Sequence, residues 1–152
     1  MKIMMIKTVL AVMIVIAAGT SSVKASMKES ITQTAANVLG KYMGAMVYGM
    51  VENIGELFSD QFRQRTNANG KVITHTKSQV INFIKKHKHI KQDCITTHVV
   101  IEQNNTCSIA KVEMKYLEFT RVDYLTLNTE GKTWKINQIM TTFKENSTPV
   151  SK

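Results

Sequence analysis

The apolar residues of this 152-residue chain change their period once, near Lys88, and that change limits what the chain can fold into. Before it they recur at helical spacing. Ile31, Ala35, Val38, Tyr42 and Met46 mark one helix between Ser30 and Met50, and Val80, Phe83, Ile84 and His87 mark another. After it they alternate. Ile95–Gln103, Thr106–Tyr116, Phe119–Asn128 and Thr133–Phe143 read as four consecutive antiparallel strands, joined at Asn104-Asn105, Leu117-Glu118 and Glu130-Gly131. Helices first and strands last predict an α+β domain, with N-terminal helices packed on a mostly antiparallel sheet.

The helical half carries its own punctuation. Gly40, Gly44 and Gly49 weaken the first helix and point to close packing or a bend near Gly49. Asn53 is placed to cap a short second helix bearing Ile54, Leu57 and Phe58. Phe62–Thr66 and Lys71–His75 read as a hairpin about Asn67-Ala68-Asn69-Gly70, and Thr76 with Gln79 forms a capping box for the third helix.

The N-terminus reads differently. Lys2 and Lys7 precede the apolar run Val9 to Gly19, and Val23-Lys24-Ala25 has the small residues of a cleavage site. That run is shorter than the ~20 residues a membrane span needs. The reading is a signal peptide over 1–25, a domain over 26–146 and a frayed tail over 147–152 around Pro149. The protein is thus expected to be exported, to the periplasm or the medium, with no stable membrane insertion after cleavage. Losing Lys2, Lys7 and Lys24 leaves 17 basic residues against 11 acidic, a net charge near +6.

The basic residues are scattered except at Lys85-Lys86-His87-Lys88-His89 and Lys91. An exported protein rarely meets nucleic acid, so this stretch reads as a solvated helix end; the alternative is attachment to an anionic surface. No nucleophile elbow, phosphate loop or dinucleotide fingerprint is present. The histidines and cysteines lack the spacing of a metal site, and neither metal nor cofactor is expected.

Strand parity assigns the faces. A two-residue turn at Asn104-Asn105 sets Ile95, Thr97, Val99 and Ile101 opposite Met114, Val112, Ala110 and Ser108, and turns His98 to a polar face. Cys94 and Cys107 then lie too far apart for a disulfide. A tight turn at Leu117-Glu118 sets Met114 against Arg121, Val112 against Asp123 and Ala110 against Leu125. Trp134, Ile136, Gln138 and Met140 join that side from the last strand. Arg121, Asp123 and Gln138 are then polar residues on the face the helices cover, an exception to the binary pattern.

This arrangement resembles the nuclear transport factor 2-like (cystatin-like cone) superfamily, in which three helices pack on a long curved sheet. The stretch Phe119-Thr120-Arg121-Val122-Asp123-Tyr124-Leu125-Thr126-Leu127, then Gly131-Lys132-Thr133-Trp134-Lys135-Ile136, is similar to the ending of bacterial proteins of the putative lumazine-binding family. The resemblance covers nearly all of 26–146. It implies a cone-shaped domain that holds a small molecule, and a homodimer formed through the outer sheet surface. The acid this family usually carries near the second helix is replaced by Glu52-Asn53.

Two functions follow. The first is a non-enzymatic module holding a small apolar or aromatic ligand, or a partner, in a pocket of Tyr42, Phe83, Met114, Tyr116, Arg121, Leu125, Trp134 and Gln138. The second is a cofactor-free dehydratase or isomerase with Asp123 as general base, its pKa raised by desolvation. An Arg121–Asp123 ion pair opposes the second. Val122, Tyr124 and Thr126 beside Ile139, Thr141 and Phe143 supply the expected dimer face.

Overall fold

The computed structural model describes residues 33–68 and 70–146; the expected signal peptide, its cleavage site and the tail lie outside the described residues. Helix α1 (Ala35–Tyr48) is followed by a 3-10 turn (Ile54–Leu57), strands β1 (Phe58–Ala68) and β2 (Lys71–Thr76), helix α2 (Lys77–Lys86) and strands β3 (Ile95–Gln103), β4 (Cys107–Lys115), β5 (Phe119–Glu130) and β6 (Thr133–Glu145). One six-stranded sheet results, in the order β2-β1-β6-β5-β4-β3, antiparallel except where β1 runs parallel to β6. Two α-helices and one 3-10 turn thus stand where three helices are expected.

Local chemistry sets the helix ends. The Thr34 hydroxyl accepts from Asn37 N–H to start α1, and the Thr76–Gln79 capping box starts α2. Asn53 precedes the 3-10 turn in a left-handed conformation and makes no side-chain cap bond. Gly49 ends α1 at φ 64, where a Cβ would stand 2.5 Å from both His87 O and His89 N. Only glycine lets the end of α1 lie against the turn after α2, which His89 N–H ties to Gly49 O. Lys85 and Lys86 fall in the last turn of α2, where cations complement the helix C-terminus.

The core lies between the helices and one sheet face: Val38, Leu39, Tyr42 and Ala45 from α1, Val80 and Ile84 from α2, Phe58 and Phe62 from β1, and Val112, Met114, Leu125, Leu127, Ile136 and Ile139 from the sheet. Between β4 and β5 the expected register holds, with Met114 opposite Arg121, Val112 opposite Asp123 and Ala110 opposite Leu125.

Two bulges overturn the expected parity elsewhere. In β3 the turn tip moves to Asn105-Thr106, fixed by Asn104 N–H to Cys107 O and by the Asn104 side chain accepting from Thr106 and Cys107 N–H. Moving the tip alone keeps the parity. An extra residue at Ile101 then inverts it, so Thr96, His98 and Val100 pair with Met114, Val112 and Ala110. His98 therefore shares the face of Asp123, with Val112 between them, two strand spacings or roughly 10 Å away. β3 is a sheet edge with almost every residue exposed, so no buried face holds its register.

In β6 the extra residue is Asn137, since Thr126 pairs with Gln138 but Leu127 with Ile136. Trp134 and Ile136 keep the inward side. Beyond the bulge Gln138 and Met140 turn outward, while Ile139, Thr141 and Phe143 turn toward the helix side, opposite Leu125, Asp123 and Arg121. Half of the expected dimer face is therefore on the inner side, and Gln138 leaves the expected pocket. Cys94 and Cys107 stand at opposite ends of the β3–β4 hairpin as free thiols.

Candidate functional site

Asp123 sits mid-strand on the inner face, fully buried, with both carboxylate oxygens occupied. Oδ2 accepts from the Tyr42 hydroxyl at 2.7 Å, Oδ1 from the Thr141 hydroxyl at 2.5 Å, and Arg121 Nε reaches both oxygens at 3.1 Å. Gln64 Nε2 donates to Thr141 Oγ1 at 2.8 Å, which fixes that hydroxyl's proton toward Asp123. Four elements thus converge on one buried charge: α1 through Tyr42, β1 through Gln64, β5 through Arg121 and β6 through Thr141.

Burial and the neighbouring Asp123 charge push the Tyr42 phenol well above its ordinary pKa of 10.0. Burial by itself would lower Arg121, but Asp123 outweighs it and holds the guanidinium protonated beyond its usual range. The result is a neutral phenol donor and a fixed cation around a carboxylate. Asp123 itself is fully buried and is not among the residues lining the two hollows beside it.

The cavity lies beside this network. One hollow of about 260 Å³ is lined by Met46, Gln64, Thr66, His75, Gln79, Val80, Phe83 and Arg121. A second of about 80 Å³ shares Met46, Phe83 and Arg121 and adds Tyr116, His87 and Gln92 among its walls. Arg121 is the member of the buried network that forms a wall of both. Phe83, half exposed, packs against His87 in a tilted pair with ring centroids 4.4 Å apart. Tyr116 stacks on Phe119 at 4.7 Å beside Arg121. Its phenol is raised by partial burial and by Cys94.

Of the residues expected to form the pocket, Phe83, Tyr116 and Arg121 line it. Tyr42, Met114 and Leu125 are buried in the packed core behind it. Trp134 packs near the start of α1, where its backbone N–H donates to Gln33 O. Gln64, Thr66, His75 and Gln79 complete the walls from the β1–β2 hairpin and α2. Their signal in the sequence is the alternation Phe62, Gln64, Thr66, which places two polar side chains on the face that buries Phe62. Among the described residues no group of three His, Cys, Asp or Glu side chains is placed to hold a metal, and no helix is long and apolar enough to cross a membrane.

The comparisons with known proteins agree with this architecture. The family model described as "Putative lumazine-binding" matches residues 30–140. No curated protein matches the chain. Among solved structures, a nuclear transport factor 2-like protein of unknown function from Methylobacillus flagellatus KT superposes with TM-score 0.60 at 20% identity, covering 81% of this chain and 98% of its own. A protein of the same description from Shewanella baltica OS155 gives 0.60 at 15% identity, covering 74% and 91%. One from Silicibacter pomeroyi DSS-3 gives 0.59 at 14%, covering 73% and 92%. At these identities the superpositions speak for the fold: an α+β cone of the nuclear transport factor 2 type.

Proposed function

We propose, from the premise that this chain belongs to the putative lumazine-binding family, that it is a binding module whose ligand is a small planar molecule held between α2 and the sheet. The observation that carries this reading is the division of labour at Arg121. Asp123, itself held by the Tyr42 and Thr141 hydroxyls, binds its Nε, and Arg121 also forms a cavity wall. Pockets for drug-sized ligands run to roughly 300–1,000 Å³. At about 260 Å³ the larger hollow suits a molecule of one or two rings. Met46, Val80 and Phe83 offer apolar contact to its faces, and Gln64, His75 and Gln79 offer polar contact to its edge.

The rival reading, a dehydratase or isomerase with Asp123 as base, needs a carboxylate oxygen within about 3 Å of a substrate proton. Both oxygens here are enclosed by protein donors, which favours a positioning role for Asp123. Export with cleavage after Ala25, to periplasm or medium, is part of the proposal and rests on the Lys2–Ala25 pattern. A homodimer through the outer face would now use Tyr124 and Thr126 with Met140, because Val122 is already fully buried within the chain and Ile139, Thr141 and Phe143 turn toward the helix side.

Native mass spectrometry of the exported protein with added lumazine reads all three claims. The expected spectrum shows dimers of chains starting at Ser26, with one lumazine per chain, and Phe83→Ala loses most of the bound ligand. A protein that takes up no lumazine, or takes up as much with Phe83→Ala, contradicts the binding reading. Chains starting at Met1 contradict cleavage after Ala25, and monomers alone contradict dimerisation.

A further inference from the structure

We infer that this cavity prefers a planar ligand bearing a carboxylate, which the terminal nitrogens of Arg121 receive, and that a ring without one, such as lumazine, enters the same hollow more weakly. The inference rests on the binding reading above and adds the chemistry of the ligand's polar end.

A guanidinium has five N–H donors in a fixed fork. Asp123 engages only Nε, at 3.1 Å to each oxygen. The Tyr42 hydroxyl also lies close to the guanidinium, but among the described residues Nη1 and Nη2 make no hydrogen bond of good geometry, and Arg121 forms a wall of both hollows. The four remaining N–H groups make a planar donor edge, which matches two coplanar oxygens better than a single carbonyl.

The rest of the lining sets no carboxylate against an anion. Neither hollow is lined by an Asp or Glu, whereas His75 and His87 each line one. Gln79 uses its carbonyl oxygen on Thr76 N–H at 2.8 Å, which leaves its amide NH2 as the donating end. Asp123 does not repel an incoming anion as a bare charge would, because Tyr42 and Thr141 share its load with Arg121. It acts as a positioning residue that fixes the fork.

The test compares 2-naphthoate with 2-naphthamide, two probes of one shape that differ in charge. Isothermal titration calorimetry at pH 7 is followed together with the methyl resonance of Met46, which lines both hollows. Both probes should move Met46, and the carboxylate should bind about ten- to hundredfold more tightly, the range of a charge-assisted pair. Arg121→Gln by itself leaves Asp123 buried without its cation and risks unfolding. The double variant Arg121→Gln/Asp123→Asn keeps a neutral hydrogen-bonded network. In it the preference should fall below twofold, with the amide's affinity kept.

Equal affinity of both probes in the unmodified protein overturns the carboxylate inference and leaves the cavity reading standing. Failure of both probes to move Met46 overturns the two together. A tenfold preference that survives in the double variant removes Arg121 as the receiver.

Discussion

Tyr42 gives the buried network its clearest pH signature. Its hydroxyl donates to Asp123 at 2.7 Å from a fully buried ring. Hydrogen bonds to charged groups contribute about 1.5–3 kcal/mol, so Tyr42→Phe should lower the unfolding free energy by that amount at pH 7, read from urea midpoints. The pH dependence carries a sign. In the folded chain the phenol's pKa lies well above 10.0, whereas in the unfolded chain it titrates at its ordinary value. The unfolded state therefore releases this proton first, and the stability present below pH 10 is lost as pH rises beyond it. Tyr42→Phe should show a shallower loss between pH 10 and 12 than the unmodified protein. An equally steep or steeper decline would place the titration elsewhere.

Asp123 itself was legible at this scale: a two-residue turn at Leu117-Glu118 fixes the β4–β5 register, and parity turns the carboxylate inward. Its partners were less so. Thr141 reaches Asp123 only because Asn137 is an extra residue in β6, and nothing in the local pattern of that strand marks a bulge.

Among the elements, α1 shows how a glycine's role depends on what surrounds it. Gly40 is exposed in the helix interior with nothing within 4 Å of its would-be Cβ. Gly49 combines φ 64 with backbone atoms of His87 and His89 at 2.5 Å. Gly40→Ala should therefore stabilise the protein by about 0.5–1 kcal/mol through helix propensity. Gly49→Ala should destabilise it by about 2 kcal/mol or more, because the left-handed backbone alone costs roughly 1–2 kcal/mol and the contact adds to it. Thermal unfolding of the two variants should move in opposite directions; a shift of the same sign in both would contradict this account of the helix end. The sequence shows three glycines at similar spacing and cannot rank them, since the difference lies in the α2 turn brought against one of them. The capping box at Thr76 was legible for the opposite reason: all its partners lie within four residues. β3 was misread because an exposed edge strand carries no core alternation to set its parity.

At the scale of the whole molecule, the fold class followed from the order of periodic segments, helical and then alternating. The cavity did not. It opens where the β1–β2 hairpin and α2 meet the inner face, so its walls combine residues far apart in the chain, such as His75 with Arg121. The same sheet separates two surfaces by parity: Met46 faces the cavity from α1, and Met140 lies on the outer face of β6. These two methionines act as reporters of where a ligand binds. A methyl-resolved NMR titration of the unmodified protein with lumazine should shift the Met46 methyl saturably and leave Met140 unmoved. A saturable shift at Met140 with Met46 unchanged, or no shift at either, would contradict a binding site on the helix-covered face.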